Sequence, residues 1–252
     1  MMRVSRRMKA RREERNHMII ISTFVAFAIL FTCFGIYVTD YYHADSAAID
    51  AFVPEVEIEE RVLTDGSVAY IPDVCVSGVI FYPGGKVESA AYIPLMRALA
   101  EQGVLAVLVE VPFNLAVLKE TAANGIKEQL FWVDNWYMAG HSLGGNVAAS
   151  YASKNTEGYK GVILLGAYSS KNLSASKLKA LSIYGSLDTV LTKETYNNSK
   201  VNLPADFTEV VIEGGNHSGF GMYGLQKGDT EATITNVAQI VETAKIIADF
   251  VK

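Results

Sequence analysis

The pentapeptide Gly140-His141-Ser142-Leu143-Gly144 has the spacing G-x-S-x-G, between a strand-like apolar run and an alanine-rich segment of helical period. A serine on a sharp strand-to-helix turn needs small neighbours, because its backbone is strained there and bulky side chains would clash. Glycine two residues away on either side meets that need, and Gly145 permits close packing behind the turn. The pattern predicts Ser142 as a nucleophile. The alternative is a glycine-rich turn that only leads into a helix.

A serine hydroxyl needs a base within hydrogen-bond reach, usually a histidine that a carboxylate orients. The sequence has four histidines. His17 lies in a basic N-terminal tail and His43 beside the apolar segment that follows it. His141 neighbours Ser142, where a tight turn is expected to point its side chain away from the hydroxyl. His217, in the flexible-looking stretch "EGGNHSGFG", is therefore the predicted base, against the alternative of a surface-loop histidine.

Asp188 is the predicted orienting acid, since it directly follows the buried strand-like run "ALSIYG". Ser142, Asp188 and His217 then appear in the chain order nucleophile, acid, base, each after its own strand. The carboxyl ends of parallel strands meet at one edge of a sheet, so these residues can converge there. Asp206 and Glu213 are the alternatives for the acid, and a turn-forming role is the alternative for Asp188.

The negative oxygen that forms during acyl transfer needs two aimed hydrogen-bond donors. The backbone N–H of Leu143, at the start of the helix, is the first predicted donor. The second is assigned to Gly85, in the loop "PGGK" after the strand "GVIFY". Gly84 or Lys86 could supply this amide instead, and the loop could simply turn the chain.

Candidate substrate contacts lie near these loops. Lys86 is a candidate for meeting a substrate carboxylate, with an exposed, solvated lysine as the alternative. Four aromatic residues are predicted to line an acyl or alcohol pocket, with burial in the core as the alternative: Tyr82, Phe113, Phe220 and Tyr223. The sequence shows neither a clustered set of metal ligands nor a phosphate-binding loop, so no metal and no cofactor are predicted.

The elements that must position these residues predict an α/β class, because strand-length apolar runs alternate with segments of helical period. An early antiparallel pair, at 55–63 and 67–71, precedes a mostly parallel sheet flanked by helices. Further strands are predicted at 78–82, 104–112, 135–140, 161–168, 180–185 and 207–215, and helices at 89–103, 114–129, 142–154 and 233–251. Only a short gap separates "GVILLGAY" from "ALSIYG", which leaves no room for a large cap domain over the site.

The order of these strands, together with "GHSLGG", "SLD" and "GGNH", resembles the α/β-hydrolase superfamily over residues 56 to 252. The longer motifs "YPGGKVESAAYIPLMRALAEQG", "VPFNLAV" and "GGNHSGFGMYGLQKGD" are similar to a small bacterial branch, the α/β-hydrolase family 5 type, related to dienelactone hydrolases and carboxylesterases. The resemblance implies a Ser-Asp-His hydrolase without a cofactor. Dienelactone hydrolases commonly use a cysteine nucleophile, so Ser142 departs from that pattern.

The N-terminal part has a different composition. Residues 1–17 carry seven Arg or Lys against two Glu in a chain whose net charge is −5, so the remainder is strongly acidic and nucleic acid is not an expected partner. Residues 18–38 follow without a charge, and as a helix these 21 residues reach about 31 Å, the thickness of one hydrocarbon core. A buried core helix and a cleaved signal peptide usually have shorter apolar runs.

This pattern predicts four regions: a basic cytoplasmic tail (1–17), a transmembrane signal-anchor helix (18–38), a juxtamembrane linker (39–54) and a hydrolase domain (55–252). Basic residues beside a first membrane helix tend to stay in the cytoplasm, so the domain is expected to face outward from the cell membrane. Cys33 lies in the apolar segment and leaves Cys75 alone in the domain, so no disulfide is expected within the domain.

The sequence thus predicts a membrane-anchored serine hydrolase that cleaves a small-molecule carboxylic ester through an acyl-Ser142 intermediate. A peptidase, thioesterase or acyltransferase on the same three residues is the nearest alternative. A non-catalytic binding protein that has kept the fold is the alternative from another class.

Overall fold

The computed structural model describes residues 2–252, with side chains described for residue 8 and for residues 11–252. The chain forms two compact units, residues 1–40 and residues 41–252. The first unit is one helix, α1 (Met2–Thr39). Its stretch Arg11–Thr39 is long and apolar enough to cross a membrane, a property that signal sequences near an N-terminus share. Part of the predicted basic tail, residue 1 and the side chains of 2–7, 9 and 10, lies outside the described residues.

The second unit is built on one eight-stranded sheet with the strand order β1-β2-β4-β3-β5-β6-β7-β8. β2 pairs antiparallel with both β1 and β4, and the pairs from β4 to β8 are parallel. The strands are β1 (Glu59–Val62), β2 (Val68–Ile71), β3 (Ser77–Tyr82), β4 (Val104–Leu108), β5 (Asn135–His141), β6 (Gly161–Leu165), β7 (Lys179–Gly185) and β8 (Thr208–Ile212). The predicted α/β class, the antiparallel start and the mostly parallel sheet are confirmed.

Apolar cores cover both faces of the sheet, because the central strands are buried on both sides and read as continuous apolar runs. Along β3, Val79 and Phe81 belong to one core, and Ile80 and Tyr82 belong to the other, as the two-residue period of a strand requires. The first core includes side chains of α3 (Ile93–Glu101) and α7 (Asn236–Val251). The second includes side chains of α5 (Leu143–Lys154) and of the connection before β5.

Each parallel strand from β3 to β8 ends at the same edge of the sheet, so the loops that follow these strands gather there. The loops after β3, β5, β7 and β8 hold the predicted site residues. The connection 166–178 between β6 and β7 contains neither helix nor strand, so no cap domain is inserted at that point.

The predicted helix over 114–129 is wrong. The chain forms short 3-10 turns there and a one-turn helix, α4 (Ile126–Gln129). Phe113 and Asn114 have positive φ angles of 55° and 54°, and Gly125 has 78°, and these values interrupt a helix on both sides. A short helix that the sequence did not predict, α6 (Lys193–Ser199), follows β7.

The stretch predicted as a linker, 39–54, packs with the second unit from Tyr41 onward. Tyr42 N–H donates to Lys86 O at 2.7 Å, and Asp45 N–H donates to Met222 O at 2.8 Å. Asp45 caps the short helix α2 (Ser46–Ala51), in which Ile49 is buried in the first core. The compact domain therefore begins about 14 residues before the predicted boundary at 55, since its ordered packing begins at Tyr41.

Candidate active site

Ser142 occupies a strained turn between β5 and α5. Its backbone has φ 52° and ψ −122°, a region that residues other than glycine rarely adopt and that costs about 1–3 kcal/mol. The turn is held by Ser142 N–H, which donates to Leu165 O on the neighbouring strand at 2.9 Å. Such strain persists only where the surrounding packing imposes it, and it is the geometry expected of an exposed nucleophile at a sheet edge.

The glycines of the pentapeptide are explained by backbone contacts. A Cβ on Gly140 would clash with the backbone of Gly144, and a Cβ on Gly144 would clash with the carbonyl oxygens of Tyr82, at the end of β3, and Pro83. A Cβ on Gly145 would lie 2.5 Å from the Cβ of Ala167. Positions 140, 144 and 145 therefore have no space for a side chain, as the sequence predicts.

His217 and Asp188 form a buried pair beside this turn. His217 Nδ1 lies 2.8 Å from Asp188 Oδ2, and each side chain is 1 % exposed. The second carboxylate oxygen, Oδ1, accepts the backbone N–H groups of Val190 at 2.9 Å and Leu191 at 2.8 Å. Both carboxylate oxygens thus have partners: Oδ1 accepts the two backbone N–H groups, and Oδ2 faces the imidazole.

The other imidazole nitrogen, His217 Nε2, is buried and has no hydrogen-bond partner among the described residues. A neutral histidine whose Nδ1–H donates to Asp188 carries a free lone pair on Nε2. That lone pair is the proton acceptor that a serine nucleophile requires. A hydrogen bond to Ser142 Oγ is not formed in this structure, and catalytic hydrogen bonds are often made only once substrate is bound.

The His217 loop is fixed by hydrogen bonds to two polar side chains that were not predicted from the sequence as site residues. Gln239, fully buried on α7, accepts Asn216 N–H at 3.0 Å through Oε1 and donates to Asn216 O at 2.8 Å through Nε2. Asp229 Oδ2 accepts both Ser218 N–H at 2.8 Å and the Ser218 hydroxyl at 2.7 Å. The sequence did contain a sign of the role of Gln239, because a lone glutamine on the apolar face of a terminal helix must find buried partners.

Gly166, directly after β6, also supports the pair. Its φ is +51°, and a Cβ there would lie 2.9 Å from His217 Nδ1 and 3.2 Å from Asp188 Oδ2. The backbone therefore passes close against the imidazole–carboxylate contact. The glycine that ends the buried run "GVILLG" was the sequence signal for this close approach.

Ser142 and His217 line one open cavity of about 450 Å³. The cavity wall beside α5 is polar. Ser170 Oγ donates to Asn146 Oδ1 at 3.0 Å, and Asn146 Nδ2 donates to Tyr168 O at 3.1 Å. No Asp, Glu, Lys or Arg occurs among the described residues that line it. The lining residues are Ser142, Leu143, Asn146, Gly166, Ala167, Tyr168, Ser170, Val190, Leu191 and His217.

The three backbone N–H groups considered as second oxyanion donor differ in their hydrogen bonds within the loop after β3. Gly84 N–H donates to the Tyr92 hydroxyl at 3.0 Å, and Lys86 N–H donates to Asn114 O at 2.8 Å. For Gly85 N–H no acceptor is found within residues 2–252. Gly85 also packs against the nucleophile turn, because a Cβ on it would lie 2.8 Å from Leu143 Cδ2.

The aromatic residues predicted to line the pocket lie elsewhere. Tyr82 is fully buried in the second core, where its hydroxyl donates to Glu120 O and accepts Ala123 N–H at 3.1 Å. Phe220 and Tyr223 are also buried, at 0 % and 6 % exposed. Phe113 is exposed on the loop after β4, and neither it nor Lys86 is among the residues that line the cavity.

Phe220 and Tyr223 instead surround His141, together with Tyr92 and His217. The ring centroid of His141 lies 4.6 Å from that of His217 and 5.5 Å from that of Phe220. Burial, and next the neighbouring His217, hold the pKa of His141 well below its usual range, so His141 is neutral. Its Nδ1 lies 2.8 Å from the Tyr92 hydroxyl.

No hydrogen bond or ion pair joins either alternative acid to Asp188 or His217 in the described part of the chain. Asp206 lines a separate cavity with Lys179, at the start of β7 and hence at the opposite end of that strand. Glu213 accepts the hydroxyl of Ser186 at 3.2 Å. Within the part of the chain that the structure describes, no group of three or more His, Cys, Asp or Glu side chains is placed to hold a metal ion. Cys33 and Cys75 are both free.

A mostly parallel eight-stranded sheet, with a strained serine after the fifth strand and a His–Asp pair after the last two, defines the α/β-hydrolase fold. The chain belongs to the alpha/beta hydrolase family, whose model matches residues 78–241. This confirms the resemblance seen in the sequence, and membership of the family supports a hydrolase activity.

Solved structures share the fold at low sequence identity. A dienelactone hydrolase from Anabaena variabilis matches with a TM-score of 0.56 at 15 % identity, and the match covers 77 % of this chain and 97 % of that one. TT1662 from Thermus thermophilus matches with a TM-score of 0.56 at 17 % identity and the same coverage. A predicted CIB-like hydrolase from Thermoplasma acidophilum has a TM-score of 0.54 at 15 % identity, again with 77 % and 97 % covered. No curated protein matches the chain.

Proposed function

We propose that this protein is a membrane-anchored serine hydrolase that cleaves carboxylic esters through an acyl-Ser142 intermediate. The observation that carries the proposal is one shared cavity: it holds the strained Ser142 and His217, whose Nδ1 contacts the buried Asp188 at 2.8 Å. Asp188 fixes the tautomer in which Nε2 accepts a proton. This is the arrangement by which serine becomes nucleophilic at neutral pH.

In the first half-reaction, Ser142 Oγ bonds to the ester carbonyl carbon while its proton passes to His217 Nε2. The resulting oxyanion accepts the N–H groups of Leu143 and Gly85, which have no other acceptor among residues 2–252. The bond from the carbonyl carbon to the alcohol oxygen then breaks, and His217 returns its proton to that oxygen. Water repeats the sequence on the acyl-enzyme and releases the acid and free Ser142.

The cavity supports uncharged substrates of modest size. Its described lining has no charged side chain to pair with a substrate carboxylate, and its volume of about 450 Å³ lies at the small end of ligand sites. The connection 166–178 adds no cap over it, which leaves the site open to solvent. We therefore expect soluble, neutral esters with short acyl groups to be better substrates than long-chain lipids.

Labelling with a fluorophosphonate probe and turnover of matched ester, thioester and amide substrates test the proposal. Wild-type protein should be labelled on Ser142 and should hydrolyse the ester fastest. Ser142→Ala should lose both properties, whereas Ser153→Ala, on the same helix, should keep them. A thioester or amide turned over faster would replace ester cleavage by thioesterase or peptidase activity. Wild-type protein that folds and is not labelled would indicate a binding protein.

The membrane anchor and its orientation belong to the same proposal. They are supported by the apolar helix Arg11–Thr39 and by the basic residues that precede residue 18. Val74, 77 % exposed on the catalytic unit, offers a labelling site. In a chain without its two natural cysteines, Val74→Cys should react with a membrane-impermeant maleimide on intact cells. Labelling only after lysis would contradict the outward orientation, and loss of residues 1–40 from the mature protein would contradict the anchor.

A further inference from the structure

The Tyr92 hydroxyl connects the two halves of the proposed oxyanion site. It accepts Gly84 N–H at 3.0 Å and lies 2.8 Å from Nδ1 of His141, the residue before the nucleophile. Tyr92 is fully buried between these groups. Since Gly84 donates to the hydroxyl oxygen, the single hydroxyl proton is available to His141 Nδ1, which accepts it in the neutral imidazole. One side chain thus connects the loop after β3 to the turn after β5.

The packing around this connection is tight. A Cβ on Gly84 would lie 2.7 Å from the Tyr92 hydroxyl and 2.8 Å from His141 Nδ1. The backbone of the loop therefore approaches the hydroxyl closely, and the hydrogen bond fixes the peptide that precedes Gly84. On the other side of Gly85, Lys86 N–H is bound by Asn114 O at 2.8 Å. The amide of Gly85 lies between these two anchored peptides.

We propose that Tyr92 is a positioning residue that holds the Gly85 N–H in register with Ser142, so that the oxyanion meets a preset donor. The inference rests on the proposed serine hydrolase function. Tyr92 itself is not among the residues that line the cavity, and it acts through Gly84 on one side and His141 on the other. A donor that is already aimed stabilises the transition state more than the bound substrate, because the negative charge is present only in the transition state.

Tyr92→Phe keeps the ring and removes only the hydroxyl. We expect kcat for p-nitrophenyl acetate to fall about tenfold, less than the 10²–10³ typical of deleting an oxyanion donor, because Gly85 remains present but loosely held. KM should stay within about twofold, since the ground-state carbonyl carries little charge. The inhibition constant of phenylboronic acid, whose tetrahedral serine adduct places an oxygen in the oxyanion site, should rise by about the same factor as kcat falls.

Tyr196→Phe is the matched control. Tyr196 is also a buried tyrosine, and its hydroxyl contacts Ser182 Oγ at 2.8 Å and Glu209 Oε2 at 3.0 Å, on β7 and β8. It should keep the wild-type kcat, KM and boronate affinity. 4-Aminophenylalanine at position 92 restores a donor and acceptor of similar size, and it should recover most of kcat.

The outcomes separate this inference from the proposed function. A folded Tyr92→Phe with wild-type kcat and boronate affinity, or one that changes only KM, would overturn the positioning role while the hydrolase assignment stands. A wild-type protein without turnover or probe labelling would overturn the hydrolase assignment itself. If Tyr92→Phe does not fold, His141→Leu breaks the same connection from its other end. It should show the same loss of kcat without a change in KM. A folded His141→Leu variant with wild-type kcat would equally overturn the inference.

Discussion

Asp188→Asn tests the proposed catalytic set most sharply, because the structure fixes how the new amide must orient. Asp188 Oδ1 accepts two backbone N–H groups, from Val190 and Leu191, and Oδ2 faces His217 Nδ1. An asparagine keeps both backbone hydrogen bonds only if its oxygen takes the Oδ1 position. Its NH₂ group then points at His217 and donates to Nδ1. The imidazole proton is forced onto Nε2, which can no longer accept the Ser142 proton.

The size of the loss follows from two contributions. Flipping the amide gives up two N–H···O bonds of about 1 kcal/mol each, so the productive orientation is populated at most about one part in thirty. Loss of the carboxylate's charge removes a charge-assisted hydrogen bond to the imidazolium, about 1.5–3 kcal/mol or a further ten- to hundredfold. Together they predict a fall in kcat of about 10³-fold, somewhat less than the roughly 10⁴-fold drop known for the same change in a serine protease.

The assay is steady-state hydrolysis of a chromogenic ester at pH 7.5, with thermal unfolding measured on the same samples. Asp206→Asn and Glu213→Gln are the controls, since His217 is bonded to Asp188 and to neither of these carboxylates in the described part of the chain, and both variants should keep wild-type kcat. An Asp188→Asn variant that folds and retains more than a tenth of the wild-type kcat would refute the tautomer reasoning. An equal loss in Glu213→Gln would show that the acid has been misassigned.

Three predictions concern stability. Gly144→Ala should lower the melting temperature by 10 °C or more or prevent folding, because its Cβ would clash with two backbone carbonyl oxygens. Gly158→Ala should be nearly neutral, since a Cβ there would approach only the Lys127 ammonium, at 3.4 Å. Equal melting temperatures for Gly144→Ala and Gly158→Ala would contradict the packing account. Burial raises the pKa of Glu209, but hydrogen bonds from Lys200 outweigh burial, so the pKa is lowered. The stability lost in Lys200→Met should therefore be seen at pH 7 and vanish as pH falls below about 4. Burial raises the pKa of several tyrosines, Tyr92 among them, so stability should decline once pH exceeds about 10, and absorbance at 295 nm should show these hydroxyls ionising only with unfolding.

The strands of the sheet could be predicted because buried parallel strands are short, continuous apolar runs bounded by glycine and polar residues. The proposed catalytic residues come from the same pattern: Ser142 and Asp188 follow the buried runs of β5 and β7, whereas His217 follows β8, whose residues are mostly exposed. The irregular stretch 112–125 could not be predicted, because its apolar spacing imitates a helix. The Asn124-Gly125 pair was the turn signal that argued against one helix over 114–129.

The aromatic residues that were predicted to line the pocket show why the location of a single residue is hard to predict from sequence. An aromatic residue beside a catalytic loop is equally suited to the core and to a pocket, and the choice depends on which face of the strand it occupies. Tyr82 lies on the face of β3 that also carries Ile80, and its hydroxyl finds a backbone carbonyl there. Phe220 and Tyr223 pack on His141, whose complete burial the sequence does not reveal.

In the proposed mechanism, the strained Ser142 and the anchored loop after β3 meet one physical requirement. An oxyanion site must keep two N–H groups free of protein acceptors in a region where most buried amides are paired. The helix start supplies one such amide without cost, because the first N–H groups of a helix have no intrahelical acceptor. The second is available only if its neighbours are bound. Here Gly84 and Lys86 are both bound, while Gly85 between them has no acceptor in the part of the chain that the structure describes. The left-handed Asn114, which provides the acceptor for Lys86, is therefore part of the same arrangement as the strained serine.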